Sequence, residues 1–354
     1  MDGVFLGLLA NASRAHSGRM DSDRYRGKTT AGTFGEYLAF ILFFPTMVAG
    51  PIKRYQDFLP KLEKPGRDWV QDWQQGFTRI LAGLAKKFMV ADLLTAFTNH
   101  LNQADIAQAQ RWVLPVWLFA YGIKIYFDFS AYSDIAIGSA RLFGIRVPEN
   151  FDWPYLRTNI AEFWKHWHMS LYRWLVDYVF IPLGGSRVAP PRIYVNILIT
   201  MFLSGLWHGA GLNFIVWGLW HGTLLVGHRL WTSWREGNLV LLPRSRPALG
   251  LWSAVAGVAG GGGQTISAML YSGEPEPIAP TRPRPIDGQF GQESQRPQDS
   301  TLEASGSPKS LRAPTLAGKV CSWALTFVLV NLGWAFFCMD LPTCLFFFRR
   351  LILG

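Results

Sequence analysis

The chain has 354 residues, 49% of them hydrophobic and only 16% charged, with 16 Trp and 25 Phe. Soluble domains carry roughly 25% charged residues, so this composition argues against an ordinary water-facing surface and for contact with lipid and its interfaces. The formal net charge of +10 does not call for nucleic acid: Lys53, Arg54, Lys61, Lys64 and Arg67, then Arg141, Arg146, Arg157 and Lys165, sit between apolar runs, the pattern of basic cytoplasmic loops and of contacts to anionic lipid.

In chain order, residues 1–33 are a polar N-terminal segment. Residues 37–52 are uncharged, and Pro45 and Pro51 interrupt them, which predicts a short or re-entrant membrane segment. Residues 77–97 are apolar but carry Lys86 and Lys87, which suits a tilted or interfacial helix. Residues 112–127 predict a span, with Lys124 and Asp128 near its end. Residues 193–227 contain no Asp, Glu, Lys or Arg. That run is too long for one simple span of about 20 residues. It divides at Gly209-Ala210-Gly211 into helices expected over 193–207 and 212–230, with His208 at the junction.

Residues 233–317 form a Pro/Gly-rich stretch, read as a largely disordered loop, and they hold the mean hydropathy to +0.13. Residues 320–339 predict a further uncharged span, followed by an amphipathic tail. Cys321, Cys338 and Cys344 lie in this last region without metal-ligand spacing.

Ionisable groups in apolar segments are functional-site candidates, because burying them is costly. His208 is the foremost. A neutral imidazole takes a proton near neutral pH, and a hydroxyl that attacks a thioester or ester carbonyl must lose one. The glycine-rich break beside it opens backbone N–H groups near Gly209 and Gly211 to a developing oxyanion. His221 and His228 share one helix and read more simply as hydrogen-bonding residues between helices. A second constellation runs from Glu162 to Arg187 and includes His168 and Asp177. It reads either as an interfacial helix or as the cover of a polar cavity in which His168 or Asp177 positions substrate. A third holds Asp128 and Asp134, which read either as structural ion pairs with Lys124, Arg141 or a membrane His, or as support for catalysis. His16 to Asp21 and Gly257–Thr265 mimic other motifs but lack their context.

Several blocks together resemble the membrane-bound O-acyltransferase (MBOAT) family. These are Phe44-Pro45 through Ala49-Gly50-Pro51 with Arg54 and Phe58; Tyr126–Gly138 with Phe151–Trp153; Phe163-Trp164 through Trp167-His168-Met169-Ser170-Leu171 with Trp174 and Asp177-Tyr178; Leu206-Trp207-His208-Gly209-Ala210 with Trp217-Gly218 and His221-Gly222; and Leu332-Gly333-Trp334 with Phe336-Phe337. The Ile181–Arg187 element resembles the alginate O-acetyltransferase branch.

The resemblance implies an all-α, polytopic integral membrane bundle with a funnel, a tunnel and re-entrant segments, placed in the cell inner membrane. It implies a core over 34–232 and a C-terminal membrane helix and tail over 318–354. It also implies several helices ahead of the Phe44-Pro45 block, so an N-terminally shortened member is expected. The implied activity is transfer of an acetyl or other acyl group from a cytoplasmic-side donor towards hydroxyls of a cell-surface polysaccharide such as alginate, through an extracytoplasmic acetyltransferase partner. The alternative is a non-catalytic membrane scaffold or inactive remnant. No bound cofactor or metal is expected; acetyl-CoA or an acyl carrier would serve as donor substrate, membrane lipid as surroundings, and nucleic acid is not expected as a partner. His208 takes the role of the family's active-site His and His168 that of its second His. Asp177, Asp134, Asp128 and Trp207 are assigned supporting roles. Whether His208 acts as general base or as transient nucleophile stays open.

Overall fold

A computed structural model of the chain describes residues 33–47, 50–63, 68–236 and 315–353, and among these all regular structure is helical. The expectations for residues 1–32 and for most of the 233–317 loop fall outside the described residues.

The first helices are short. α1 (Phe34–Ile41) starts at Thr33, whose hydroxyl accepts from Glu36 N–H while Glu36 accepts from Thr33 N–H, a reciprocal cap. α2 (Phe44–Met47) follows after a break at Leu42-Phe43. Pro45 therefore opens a helix rather than ending one, since in a first turn its missing N–H costs nothing. α3 (Tyr55–Glu63) completes this layer, and Phe40, Tyr55, Phe58 and Ile145 form its core.

α4 (Trp69–Ala85) runs through a π-helical stretch, Lys86–Ala91, into α5 (Asp92–Thr98). α6 (Gln103–Gln108) is a short connector. α7 (Val113–Leu142) has 30 residues, about 45 Å of helix at 1.5 Å per residue. The sequence reading ended this helix near 127. It continues because the charges that suggested an end are neutralised from α4 and the π-helical stretch. Lys87 donates to Asp128 at 2.7 Å, and Arg79 and Lys86 each reach Asp134 at 2.6 Å. The two rods meet backbone to backbone. A Cβ on Gly138 would lie 2.6 Å from the Gly76 carbonyl oxygen, so only glycine permits this approach.

After α7 the chain turns through a 3-10 turn (Pro154–Leu156) into α8 (Ile160–His166) and α9 (Met169–Leu175), then a π-helical stretch, Val176–Phe180. The Ile181–Arg187 element is a tight loop with Gly184 at φ 104° and Gly185 at φ 56°, conformations that favour glycine. The buried Asn196 holds the loop, donating to the carbonyls of Leu183 (3.1 Å) and Gly185 (3.3 Å).

α10 (Pro190–His208) and α11 (Leu212–Arg235) form a hairpin about Gly209-Ala210-Gly211, as the sequence predicts. Their approach again depends on glycine, since a Cβ on Gly218 would lie 2.3 Å from the Met201 carbonyl oxygen. α12 (Leu316–Cys338) and α13 (Leu341–Leu353) close the fold. The largest core joins Trp217 of α11, Trp334 of α12 and Phe163, Trp164 and Trp167 around α8. Among the described residues, α12 alone is long and apolar enough to cross a membrane. The expected spans at α7 and α10–α11 fall short of that measure; α7 carries Lys124, Asp128, Asp134 and Arg141.

Candidate active site

His168 is buried (6% exposed) and sits ahead of α9 in a left-handed conformation, φ 44° and ψ 55°. A non-glycine residue held there costs on the order of 1–3 kcal/mol, so its surroundings must enforce it. Asn150 does so from a wholly buried position. Its backbone carbonyl accepts from Met169 N–H at 2.8 Å. Its side-chain oxygen accepts from Ser170 N–H at 3.3 Å and from the Ser170 hydroxyl at 2.7 Å, and lies 3.3 Å from His168 Nδ1. Its amide nitrogen donates to Ser133 Oγ at 3.2 Å.

The backbone N–H of Ser170 can only donate, so it fixes which atom of the Asn150 amide is oxygen. An oxygen acceptor in turn makes Nδ1 of His168 the protonated nitrogen. Nε2 is then the nitrogen with a free lone pair.

His208 ends α10 and lines the same cavity as His168, a space of about 450 Å³. Among the described residues its ring finds no hydrogen-bond partner, and its Nδ1 is buried. Aromatic rings hold it instead: Trp207 at 4.9 Å, Phe337 at 4.9 Å and Trp217 at 5.1 Å, each nearly perpendicular. Trp207 also stands edge-on to His168, with ring centroids 6.2 Å apart, so it joins the two imidazoles. Gly209 is extended (φ 164°, ψ 160°), and the Phe214 ring packs where a side chain at 209 would go.

The cavity follows the α10–α11 hairpin. His228 and Arg229 line it as well, together with Lys165. On α10 the lining runs from Ile197 to His208, roughly 16 Å of helix at 1.5 Å per residue. The space is therefore long, with imidazoles at His168 and His208 and basic groups far along it.

The other expected site residues are placed elsewhere. Asp177, in the π-helical stretch after α9, forms an ion pair with Arg54. Asp134 and Asp128 are engaged by Arg79, Lys86 and Lys87, and neither Lys124 nor Arg141 is their partner. Lys124 instead donates to Thr98 Oγ1 at 3.2 Å, and Arg141 pairs with Asp72 at 2.6 Å. His221 differs from the expectation of a hydrogen bond between helices. It is wholly buried among Trp164, Trp217 and Trp334, and among the described residues neither of its ring nitrogens has a hydrogen-bond partner.

Sequence reasoning missed Asn150, Ser133 and the cavity-lining role of His228 and Arg229. Asn150 lies in a connection without periodicity, where asparagine reads as a turn former. Ser170, two residues after His168, was the available signal, because a hydroxyl beside a buried imidazole needs a partner of its own.

Residues 25–258 match the profile of MBOAT, the membrane-bound O-acyltransferase family. The chain belongs to this family. A probable alginate O-acetylase of Azotobacter vinelandii is 41% identical to this MBOAT chain over 209 residues, 58% of the chain and 41% of that protein. A peptidoglycan O-acetyltransferase of Helicobacter pylori is 37% identical over 203 residues, 56% of the chain and 38% of that protein. A teichoic acid D-alanyltransferase of Streptococcus thermophilus is 35% identical over 211 residues, 56% of the chain and 51% of that protein. The chain thus spans about two fifths to one half of the length of these MBOAT relatives.

Proposed function

We propose that this protein is a multi-pass inner-membrane O-acyltransferase. It moves an acetyl group from a cytoplasmic-side thioester donor, acetyl-CoA or an acyl carrier, towards hydroxyls of a cell-surface polysaccharide such as alginate, with an extracytoplasmic acetyltransferase as partner. The observation that carries this reading is the meeting of His168 and His208 on one cavity. The names of the relatives, which act on alginate, peptidoglycan and teichoic acid, support the substrate class.

In the proposed reaction the acceptor hydroxyl lies against the His208 ring. Its oxygen attacks the thioester carbonyl carbon, the C–O bond forms, and the proton passes to a ring nitrogen of His208. The C–S bond then breaks, and the proton goes to the departing thiolate. His168 assists through Nε2, the nitrogen left free by the Asn150 contact. Backbone N–H groups at Gly209 and Gly211 are the proposed donors to the oxyanion. Trp207 keeps both imidazoles in place, while Asp177, Asp134 and Asp128 support the frame through their ion pairs. The length of the cavity and the cations along it suit a donor thioester on a long arm.

The test is acetyl transfer in membranes that contain the full chain, labelled donor, partner acetyltransferase and polysaccharide. His208→Ala is compared at matched membrane levels. Loss of about 10²–10⁴-fold is expected for removal of a general base. Equal activity in both removes His208 from the mechanism. Absence of transfer in both, with the protein inserted, overturns the enzymatic reading. Recovery of an acetyl-histidine at 208 after rapid quenching would make His208 a nucleophile instead.

A further inference from the structure

Thr200, Ser204 and His208 follow one another at intervals of four residues on α10, and all three line the cavity that holds the two imidazoles. Side chains four apart stand on one face of a helix, with their Cβ atoms about 5–6 Å apart. A small group that lies against the His208 ring from within the cavity is therefore within reach of Ser204 as well. Ser204 is 1% exposed, so bulk water does not compete for its hydroxyl. A hydroxyl inside a helix commonly donates to the carbonyl four residues earlier. Thr200 does so, to Asn196 at 2.7 Å, as do Thr223 to Leu219 at 2.8 Å and Thr232 to His228 at 2.9 Å. Ser204 departs from this pattern. Among the described residues its hydroxyl has no hydrogen-bond partner, and its side chain stands on the cavity wall. An unpaired hydroxyl away from water is costly, so this position points to a ligand atom as its partner.

We infer that Ser204 is a further catalytic residue of this site: its hydroxyl donates a hydrogen bond to the carbonyl oxygen of the donor thioester. The inference rests on the transferase reading above and adds a residue to it. When the acceptor oxygen bonds to the carbonyl carbon, the π pair of the C=O bond moves onto the carbonyl oxygen, and negative charge builds there. When that pair returns, the C–S bond breaks and its electrons leave with the thiolate. Ser204 keeps its proton throughout and holds the passing charge through the hydrogen bond alone. The imidazoles cannot take this part. His208 receives the proton of the acceptor hydroxyl, and His168 has its N–H towards Asn150, which leaves Nε2 as an acceptor. The wall around Ser204 is apolar, with Trp164, Trp167, Leu171, Met201 and Leu225, so one donor stabilises the oxyanion by more than it would in water. Ser204 precedes His208 in the chain and the N–H groups of Gly209 and Gly211 follow it, which puts donors on both sides of the imidazole along the backbone.

The test uses the full chain in detergent, loaded with acetyl-pantetheine that carries a heavy-carbon label at the acetyl carbonyl. The infrared band of the bound carbonyl is read in the native chain and in the Ser204→Ala, Ser204→Cys and Thr200→Ala variants. A hydrogen bond lowers the carbonyl stretching frequency. The native and Thr200→Ala bands are therefore expected below the Ser204→Ala band, with Ser204→Cys, a weaker donor of similar shape, between them. In the membrane transfer assay Ser204→Ala is expected to lower kcat by about 10²-fold, the scale of one lost oxyanion donor, with KM little changed. Thr200→Ala, whose hydroxyl serves its own helix, is expected to lose far less. Coincident bands in the native and Ser204→Ala proteins, or equal losses of kcat in Ser204→Ala and Thr200→Ala, overturn the inference and leave the transferase reading in place. Absence of turnover in every protein, the native one included, is the failure of that reading, and the role of Ser204 falls with it. The thermal midpoint of each ligand-free variant reports separately on folding.

Discussion

The Asn150 side-chain oxygen lies 3.3 Å from His168 Nδ1, and the same oxygen is claimed by both the backbone N–H and the hydroxyl of Ser170. One buried amide thus sets the tautomer of an imidazole on the candidate active-site cavity and stabilises the left-handed backbone that presents it.

Asn150→Ala is expected to lower acetyl transfer by about 10²-fold, the scale of a misplacement near 1 Å at a reacting group. The loss should fall on kcat more than on KM, because the donor still reaches the cavity. Steady-state transfer assays on membranes of matched content check this. An unchanged kcat would show that His168 does not depend on Asn150.

Gly209→Ala separates packing from catalysis. Its extended backbone accepts alanine, but the new methyl would stand 2.7 Å from the Phe214 ring, which stacks near His208 at 6.4 Å. Transfer is expected to fall roughly tenfold while the thermal midpoint changes little, since a displaced surface of one ring costs about 1 kcal/mol. A large drop in midpoint would mean that the hairpin itself fails.

Asp134→Ala leaves Arg79 and Lys86 without their shared carboxylate. Arg79 keeps its ion pair with Glu149, and Lys86, left unpaired, is 34% exposed and reaches water, so the roughly 3–5 kcal/mol of a buried unpaired charge falls to about 1–3 kcal/mol. Lys86→Ala, which leaves Arg79 on Asp134, should cost under about 1 kcal/mol. Thermal unfolding in detergent measures both, and equal losses would contradict the shared arrangement.

Gly333→Ala tests the seam between α11 and α12. The added methyl would meet His221 Nε2 at 2.6 Å and Trp220 Cδ1 at 2.8 Å, inside a core already filled by tryptophan rings. A destabilisation of about 1–3 kcal/mol is expected from overpacking, read as a lower midpoint in detergent. No change would show that the two helices separate readily.

Local signals were legible wherever the physics is local. An uncharged run, a pair of glycines and the histidine just before them suffice to place the α10–α11 hairpin and His208 at its turn, because helix continuity is decided within a few residues. The same local logic failed at Asp128. A carboxylate in an apolar run reads as an end of the span, yet α7 passes through it for a further 14 residues to Leu142. Lys87, which permits this, is 41 residues earlier in the chain.

The sequence by itself determined the helical class, the apolar character, the family and the two histidines that stand out from it. Only the tertiary structure decided which groups meet. It put His168, His208 and Ser204 on one cavity and gave Asn150 to His168 and Arg54 to Asp177. The reason is range. Propensity and periodicity act along a few turns of chain, whereas a hydrogen bond or ion pair between distant residues exists only once helix packing has fixed the distance and direction between them.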